Sequence, residues 1–302
     1  MSHFILLGVC FLLGIVLRRS GRLPDNAPTV FNGFVVHLSL PALTLVYVHE
    51  LSLDPALIFP ALMAWVLFGL GAGFFWWLGK AMKLDPATTG ALILTGSLGN
   101  TSFIGLPMIE TFYGAQGLSI GILIDQVGSY FVLSTLGIAV ATTLSAGQNP
   151  GVRSIARKIV SFVPFQAFIL ALILTPFAYP AWLEDVLRRL GATLVPIALV
   201  SVGYQLRLSH VQGKAQLIAI GLAFKLIIGP ALILGLFVGL FGARGEVIQI
   251  TIFEAAMAPM LGASIIAMQH DLDPPLVTLM VGIGIPLSFF TLPACWYVLQ
   301  GV

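Results

Sequence analysis

The sequence predicts an all-α membrane protein of ten transmembrane helices, built as two inverted five-helix repeats in which spans four and nine are broken and cross. Composition is the first reason: of 302 residues, 58% are hydrophobic and 9% are charged, whereas a soluble domain carries about 25% charged residues. The second reason is a helix break in each half, near residues 99–107 and 253–262. Broken backbone inside a bilayer is tolerated only where protein or a water-filled cavity covers it.

Ten apolar stretches come close to the roughly 20 residues that a transmembrane helix needs. The first stretch is short and its arginines follow it, so it is predicted to be a span rather than a cleaved signal peptide. The predicted spans cover residues 3–17, 28–48, 56–79, 86–112, 117–145, 157–179, 183–206, 214–241, 244–269 and 274–299.

A Leu-Asp-Pro triplet precedes three of these spans, with its aspartates at Asp54, Asp85 and Asp273. An Asp side chain accepts hydrogen bonds from the free N–H groups of a helix start, and Pro fits the first helical position because no N–H is needed there. The triplets therefore predict helix starts, and we expect their role to be structural.

The spacing of prolines relates the two halves of the chain. Pro107 in span four and Pro259 in span nine lie 152 residues apart, close to the 155 residues that separate Pro41 from Pro196 in spans two and seven. A repeat of five spans crosses the membrane an odd number of times, so the second copy is predicted to be inverted. The predicted repeats are residues 1–150 and 151–302.

Charge predicts the orientation. Most of the 14 Lys and Arg residues lie in loops that follow odd-numbered spans, and positive loops face the cytoplasm. Both termini are therefore predicted outside the cytoplasm, in a multi-pass protein of the cell membrane. A net charge of +2 without a long basic run predicts no nucleic-acid partner. Cys10 and Cys295 lie in apolar segments, which favours packed thiols over a disulfide or a metal site.

Polar residues surround the first predicted break. Pro107 has no N–H to donate to the preceding turn, and its ring crowds a carbonyl group there. If the helix unwinds, its second half begins with free N–H groups and partial positive charge, which suit an anion such as a carboxylate. Asn100, Thr101 and Ser102 add amide and hydroxyl groups, which either bind substrate or satisfy the freed backbone.

Pro259 predicts a matching break in span nine, with Met260 beside it. Paired breaks in two repeats are the typical sequence sign of the substrate site in a secondary transporter. Two ordinary proline kinks are the alternative. The predicted substrate-binding residues are Asn100, Thr101, Ser102, Pro107, Pro259 and Met260.

Four ionisable residues are predicted deep inside spans, where charges are costly and usually functional. Asp125 and Ser129 are predicted to form a polar face near the first break, and Glu254 precedes the second. Three roles are open for Glu254: proton carrier, cation ligand, or salt-bridge partner of Lys225. His37, the fourth residue, is expected to be a hydrogen-bonded packing residue.

A coupling site is predicted from these side chains. Oxygen atoms near Asn100, Asp125 and Glu254 are the ligands that a hard cation such as sodium prefers. The same carboxylates could instead carry protons, so both ions stay open, and no organic cofactor is predicted.

The segment Asn100–Pro107 reads Asn-Thr-Ser-Phe-Ile-Gly-Leu-Pro and resembles the Asn-x-x-Phe-x-Gly-Leu-Pro signature of the auxin efflux carrier family. The span count and the lack of a large central loop resemble the bacterial members of that family. The segment Ala255–Pro259 resembles the same family's ninth span. This resemblance covers nearly the whole chain and implies a fold similar to that of bile acid sodium symporters. It implies a scaffold of spans 1, 2, 6 and 7, often dimeric, and a mobile transport domain of spans 3–5 and 8–10.

The sequence and the resemblance together predict a secondary active transporter, not an enzyme, that moves a small organic anion (malonate-like or auxin-like) by an elevator-type motion in the lipid bilayer as a homodimer. One alternative is a sodium symporter of bulkier amphipathic acids. A membrane-embedded enzyme acting on lipid, or a sensor that binds ligand without transport, is the alternative outside this class. Neither a nucleophile with its base nor a metal-binding motif is evident in the sequence to support an enzyme.

Overall fold

A computed structural model describes residues 2–49, 57–145, 153, 157, 160–205 and 213–302 of the chain. These residues form helices joined by turns, and no strand occurs among them. The predicted all-α class is therefore confirmed. The helix start predicted at Asp54 lies outside the described residues.

The helices follow one another along the chain with short connections. The first seven are α1 (Ser2–Arg19), α2 (Ala27–Tyr47), α3 (Ile58–Ala81), α4 (Pro86–Ser97), α5 (101–113), α6 (Ala115–Leu144) and α7 (Val163–Leu174). The remaining six are α8 (Ala181–Gly191), α9 (Leu194–Gln205), α10 (Ala215–Leu240), α11 (Glu246–Ala255), α12 (Leu261–Gln269) and α13 (Pro274–Leu299).

Six helical stretches among the described residues are long and apolar enough to cross a membrane. They are α2, α3, α6, α8 with α9, α10 and α13. The chain is thus a multi-pass membrane protein by the length and composition of its helices. The interrupted helices α4–α5 and α11–α12 are too short singly to count, so ten spans remain a prediction.

The predicted span seven, residues 183–206, corresponds to α8 with α9, which together are one of the stretches long enough to cross a membrane. Its first part is α8, a separate amphipathic helix that a turn at residues 192–193 divides from α9. Two ion pairs at i and i+4 run along α8, joining Arg188 to Glu184 and Arg189 to Asp185. Apolar residues lie on both sides of these four charges, so the sequence was interpreted as one continuous span. Paired charges on one face of a helix are nevertheless typical of a solvated helix surface.

Two of the predicted Leu-Asp-Pro helix starts are confirmed. The carboxylate of Asp85 accepts from the N–H of Thr88 at 2.8 Å, and that of Asp273 accepts from the N–H of Leu276 at 3.2 Å. Asp273 does more than cap its helix, because it also binds the ammonium of Lys214 at 2.5 Å and the hydroxyl of Thr88 at 2.8 Å. This cluster ties together the starts of α4, α10 and α13.

Helices α1 and α9 pack with their backbones in contact. A Cβ atom at Gly203 of α9 would overlap the carbonyl oxygen of Phe11, and one at Gly14 of α1 would overlap the carbonyl oxygen of Val200. Small residues allow such close approach where lipid supplies no hydrophobic force between helices. The backbones of α1 and α9 are therefore in direct contact along these glycines.

Candidate functional site

The two interrupted helices meet at their interruptions. Helix α4 ends at Ser97 and α5 begins at Thr101, while α11 ends at Ala255 and α12 begins at Leu261. The N–H of Asn100 donates to the carbonyl of Ala258 at 2.8 Å, and the N–H of Met260 donates to the carbonyl of Leu98 at 3.0 Å.

These two bonds form an antiparallel bridge around Gly99 and Pro259. The bridge uses the carbonyl of Ala258 and the N–H of Met260, the two neighbours of Pro259. It therefore needs no N–H from Pro259 itself. Gly99 has no side chain, and a Cβ there would lie 3.3 Å from the Nζ of Lys225. The bridge satisfies backbone groups that the broken helices leave free.

Pro107 does not lie at the interruption, which corrects the position inferred from the sequence. The first break falls at residues 98–100, and Pro107 sits in the first turn of the α-helical part of α5, Leu106–Tyr113. The part before it, Thr101–Gly105, is π-helical. The π-helical turn before Pro107 accommodates its ring and its missing N–H within the continuous helix α5.

Asn100 caps the start of α5 with its amide oxygen. Its Oδ1 accepts from the N–H of Phe103 at 3.2 Å, which fixes the orientation of the amide. Asn100 is 2% exposed, and within the described part of the chain its Nδ2 has no hydrogen-bond partner. A buried amide donor without a partner is costly, so this group is available to a ligand.

The carboxylate of Asp125, a residue of α6, lies at the start of α5. The hydroxyl of Thr101 donates to its Oδ1 at 2.6 Å, the hydroxyl of Ser102 makes a short hydrogen bond to the same atom, and Nε2 of Gln126 donates to Oδ2 at 2.7 Å. A carboxylate is favoured beside the partially positive N-terminus of a helix. Thr101 and Ser102, both predicted to bind substrate, are therefore engaged by Asp125.

Ser129 lies in the same π-helical segment as Asp125, Ile124–Ser129, and is buried. The three donors that bind the Asp125 carboxylate come from other side chains. The structure thus places Ser129 near this group on its helix without bringing its hydroxyl onto the carboxylate.

The side chain of Lys225, a residue of α10, reaches the end of α11. Its ammonium donates to the carbonyl of Ala255 at 2.6 Å, and the side chain is 1% exposed. The last carbonyls of a helix carry partial negative charge, so an ammonium is favoured there. Lys225 belongs to a π-helical segment, Phe224–Ile228, within α10; such segments often occur at functional sites.

Glu254 is the least compensated group at the crossing. The residue is fully buried, and among the described residues neither carboxyl oxygen has a hydrogen-bond partner. No ion pair joins it to Lys225 within the described ranges, so the salt bridge that the sequence left open is not formed. Its carboxyl group packs against two glycines, since a Cβ at Gly105 would lie 2.6 Å from Oε2 and one at Gly121 would lie 3.7 Å from Oε1.

The role of Gly121 was missed by the sequence analysis. It lies in α6, far from Glu254 along the chain, and glycine is common in this protein. Gly105 lies within the predicted break, and the structure shows that it makes room for the carboxyl group of Glu254. No local pattern distinguishes these two glycines from the others.

His37 stays apart from the crossing. Its side chain is exposed, and Nδ1 lies 2.9 Å from the carbonyl of Gly33 on its own helix. The structure therefore brings together Asp125, Lys225 and Glu254 and leaves out the fourth predicted ionisable residue. Met260 contributes its backbone to the bridge, as described above.

Interrupted apolar helices that enclose buried polar groups are typical of membrane transporters, and this is the class of protein that the fold and the site define. The chain belongs to the membrane transport protein family, whose model matches residues 3–152 and 152–296. This is the family of the auxin efflux carriers, so the resemblance found in the sequence is confirmed.

Two archaeal relatives are similar along almost their whole length. An uncharacterized transporter of Methanothermobacter thermautotrophicus is 27% identical over 291 residues, which cover 94% of this chain and 93% of the relative. The uncharacterized transporter MJ1031 of Methanocaldococcus jannaschii is 24% identical over 298 residues, which cover 95% and 94% of the two chains. Family membership favours a transporter over a membrane-embedded enzyme.

Proposed function

We propose that this chain is a secondary active transporter of a small organic anion and that the anion binds at the paired interruptions. The observation that carries the proposal is the unpartnered Nδ2 of Asn100 beside the backbone bridge between α4–α5 and α11–α12. The start of α12 supports it further, because no side chain in the described part of the chain caps that helix. A carboxylate accepts hydrogen bonds from both kinds of donor.

Uptake into proteoliposomes tests this proposal. The purified chain is reconstituted, and entry of labelled malonate and indole-3-acetate is measured against empty liposomes. We expect Asn100→Ala to reduce transport of the accepted anion at least tenfold, since a hydrogen bond to a charged group contributes about 1.5–3 kcal/mol. The exposed Asn26, whose side chain caps nothing, supplies the control Asn26→Ala. Equal transport by the two variants would remove Asn100 from the site.

Coupling to a proton at Glu254 is the second part of the proposal. Asp125, Glu254 and Lys225 together carry one excess negative charge when all are ionised. Among the described residues, Asp125 has three donors and Lys225 has a carbonyl partner, whereas Glu254 has neither. Burying a carboxyl group without partners is least costly in its neutral form, so a proton on Glu254 balances the cluster.

Glu254→Gln tests the coupling. Gln mimics the protonated acid, so we expect uptake to proceed without response to an imposed pH gradient, while Glu246→Gln, at the exposed start of the same helix, keeps the response. Uptake that follows a sodium gradient instead would assign the cluster to sodium. If Glu254→Gln and Lys225→Met each abolish transport but restore it together, the two residues form a structural pair.

The finer architecture is also part of the proposal. We assign ten spans in two inverted repeats, a scaffold of α1, α2 and α7–α9, and a transport domain of α3–α6 and α10–α13 that moves as an elevator. The scaffold forms a homodimer, and both termini lie outside the cytoplasm. Labelling of cysteines introduced at each terminus of a cysteine-free variant tests the orientation, and cross-linking in native membranes tests the dimer; protected termini or a monomer would contradict the corresponding assignment.

A further inference from the structure

Two adjoining clefts run along the outer surface of α3, between this helix and the second half of α6. The first cleft has a volume of about 470 Å³, and the second, at the end of α3, has about 400 Å³. Trp76 and Leu144 line both clefts, so the two form one groove, which we call the α3–α6 groove. Both helices are long and apolar enough to cross a membrane. Leu136 and Trp76 are 41% and 48% exposed in this groove, so it opens toward the bilayer.

The first cleft of the α3–α6 groove is apolar. Its lining includes Phe68, Ala72, Gly73, Ile93, Leu136 and Val140. The hydroxyl of Thr143, which also lines it, donates to the carbonyl of Ala139 at 2.7 Å. A Cβ atom at Gly73 would meet no atom within 4 Å, so the groove is open there. From Phe68 to Lys80 the groove follows α3 for about 18 Å at 1.5 Å per residue. One leaflet of a hydrocarbon core is about 15 Å thick, so the length suits one lipid acyl chain.

The second cleft carries the positive charge of the groove. Lys80, in the last turn of α3, and Lys83, just after it, both line this cleft and are exposed. The Nζ of Lys80 lies 5.4 Å from the ring centre of Trp76, within cation–π distance. Among the described residues no salt bridge joins either lysine to a carboxylate. Asp85, the nearest acidic residue in the sequence, accepts instead from the N–H and the hydroxyl of Thr88.

The backbone holds Lys83 in a position that usually takes glycine. The N–H of Leu84 donates to the carbonyl of Gly79 at 2.8 Å, and that of Lys83 donates to the carbonyl of Lys80 at 3.3 Å. This is the Schellman pattern of a helix end, in which the residue after the cap is left-handed. Lys83 has the corresponding φ of 54°, which is strained for any residue with a Cβ atom. The chain therefore places a lysine beside the groove where glycine would be less strained.

We propose that the α3–α6 groove binds an anionic phospholipid, with one acyl chain along the apolar cleft and the phosphate group beside Lys80 and Lys83. Charge complementarity identifies the headgroup, because two ammonium groups without a carboxylate partner bind phosphate oxygens. Trp76 marks the level of the membrane interface, where tryptophan is enriched. The helix end with the two lysines is predicted to face the cytoplasm, and the leaflet on that side attracts basic residues. The inference does not depend on the transported substrate.

Native mass spectrometry of the purified chain tests this proposal. The chain is titrated with dioleoyl phosphatidylglycerol and with dioleoyl phosphatidylcholine, which has the same acyl chains and no net charge. We expect wild type to bind one phosphatidylglycerol more tightly than phosphatidylcholine. Lys80→Gln combined with Lys83→Gln should weaken that binding about thirtyfold, since each lysine at an anionic surface contributes about fivefold. Arg19→Gln combined with Arg22→Gln removes two exposed charges outside the groove and should leave the affinity unchanged.

Two further variants separate the apolar cleft from the charge and from stability. Gly73→Leu fills the groove from its open side, so we expect loss of the tightly bound phosphatidylglycerol. Gly69→Leu adds the same side chain one turn earlier on α3, where a Cβ also meets no atom within 4 Å, and should keep the lipid. Lys83→Gly should raise the melting temperature in lipid-free detergent, because it relieves the left-handed backbone, and yet bind phosphatidylglycerol about fivefold more weakly. A variant that merely misfolds would lose both.

Equal phosphatidylglycerol affinities of the double lysine and double arginine variants would overturn the role of Lys80 and Lys83. Wild type that binds phosphatidylcholine as tightly as phosphatidylglycerol would overturn the charged headgroup. Retention of the lipid by Gly73→Leu, or its displacement by an equal concentration of soluble glycerol 1-phosphate, would overturn the acyl chain and leave a surface site for phosphate alone.

Discussion

The packing of Gly105 against Glu254 predicts a specific penalty for a single methyl group. In Gly105→Ala the new Cβ would overlap both carboxyl oxygens of Glu254. Both residues are buried, so neither the helix nor the carboxyl group can move into open space. Overpacking of this kind typically costs about 1–3 kcal/mol.

Helix propensity acts in the opposite direction. Replacement of Gly by Ala inside a helix stabilises by about 1 kcal/mol, and this gain has to be separated from the overlap. Gly73→Ala supplies the reference, because a Cβ at Gly73 of α3 would meet no atom within 4 Å. We therefore expect Gly105→Ala to be about 1–3 kcal/mol less stable than Gly73→Ala.

Thermal unfolding of both variants in the same detergent measures this difference. For chains of 150–250 residues, 1 kcal/mol corresponds to about 2–4 °C, and the shift is smaller for this longer chain of 302 residues, so a gap of at most roughly 12 °C is expected. Combining Gly105→Ala with Glu254→Ala removes the overlap and should abolish the extra penalty, which a double-mutant cycle detects. Strictly additive effects of the two substitutions would refute the packing of Glu254 against Gly105.

Three further predictions concern the rest of the molecule. Gly203→Ala should destabilise the chain by about 1–3 kcal/mol, because its Cβ would overlap a carbonyl oxygen of α1, whereas Gly8→Ala, which meets no atom within 4 Å, should not; equal melting temperatures would contradict the close contact. Lys214→Met should lower stability by about 1 kcal/mol in low salt, since it leaves the carboxylate of Asp273 without its cation, and no loss in low salt would argue against a stabilising pair. The N–H of Thr88 holds the pKa of Asp85 below its usual value, so the stability contributed by Asp85 is present above that usual value and is lost as pH falls through the lower one. Melting temperatures of Asp85→Asn should accordingly fall less steeply in acid than those of wild type, and parallel curves would contradict this.

Much of the candidate site could be predicted residue by residue. Asp125, Lys225 and Glu254 stand out because a charge in an apolar stretch needs a reason. Asn100 stands out because an amide precedes a proline in a helix that otherwise reads as continuous. The position of the break was less predictable: the sequence points to Pro107, whereas the chain unwinds at residues 98–100. A proline weakens a helix near its own position, but the backbone of the second interrupted helix determines which residues unwind, because it supplies their hydrogen-bond partners.

The sequence by itself determined that the chain is an all-α membrane protein with interrupted helices and buried charges, because hydropathy, proline and ionisable residues act locally through the cost of burying polar groups in lipid. Only the tertiary structure decided the partners of those charges. Lys225 binds the carbonyl of Ala255 rather than the carboxyl group of Glu254, and Glu254 packs against Gly105 and Gly121. These contacts depend on distances of a few ångströms between helices far apart in the chain, which follow from packing rather than from any local pattern.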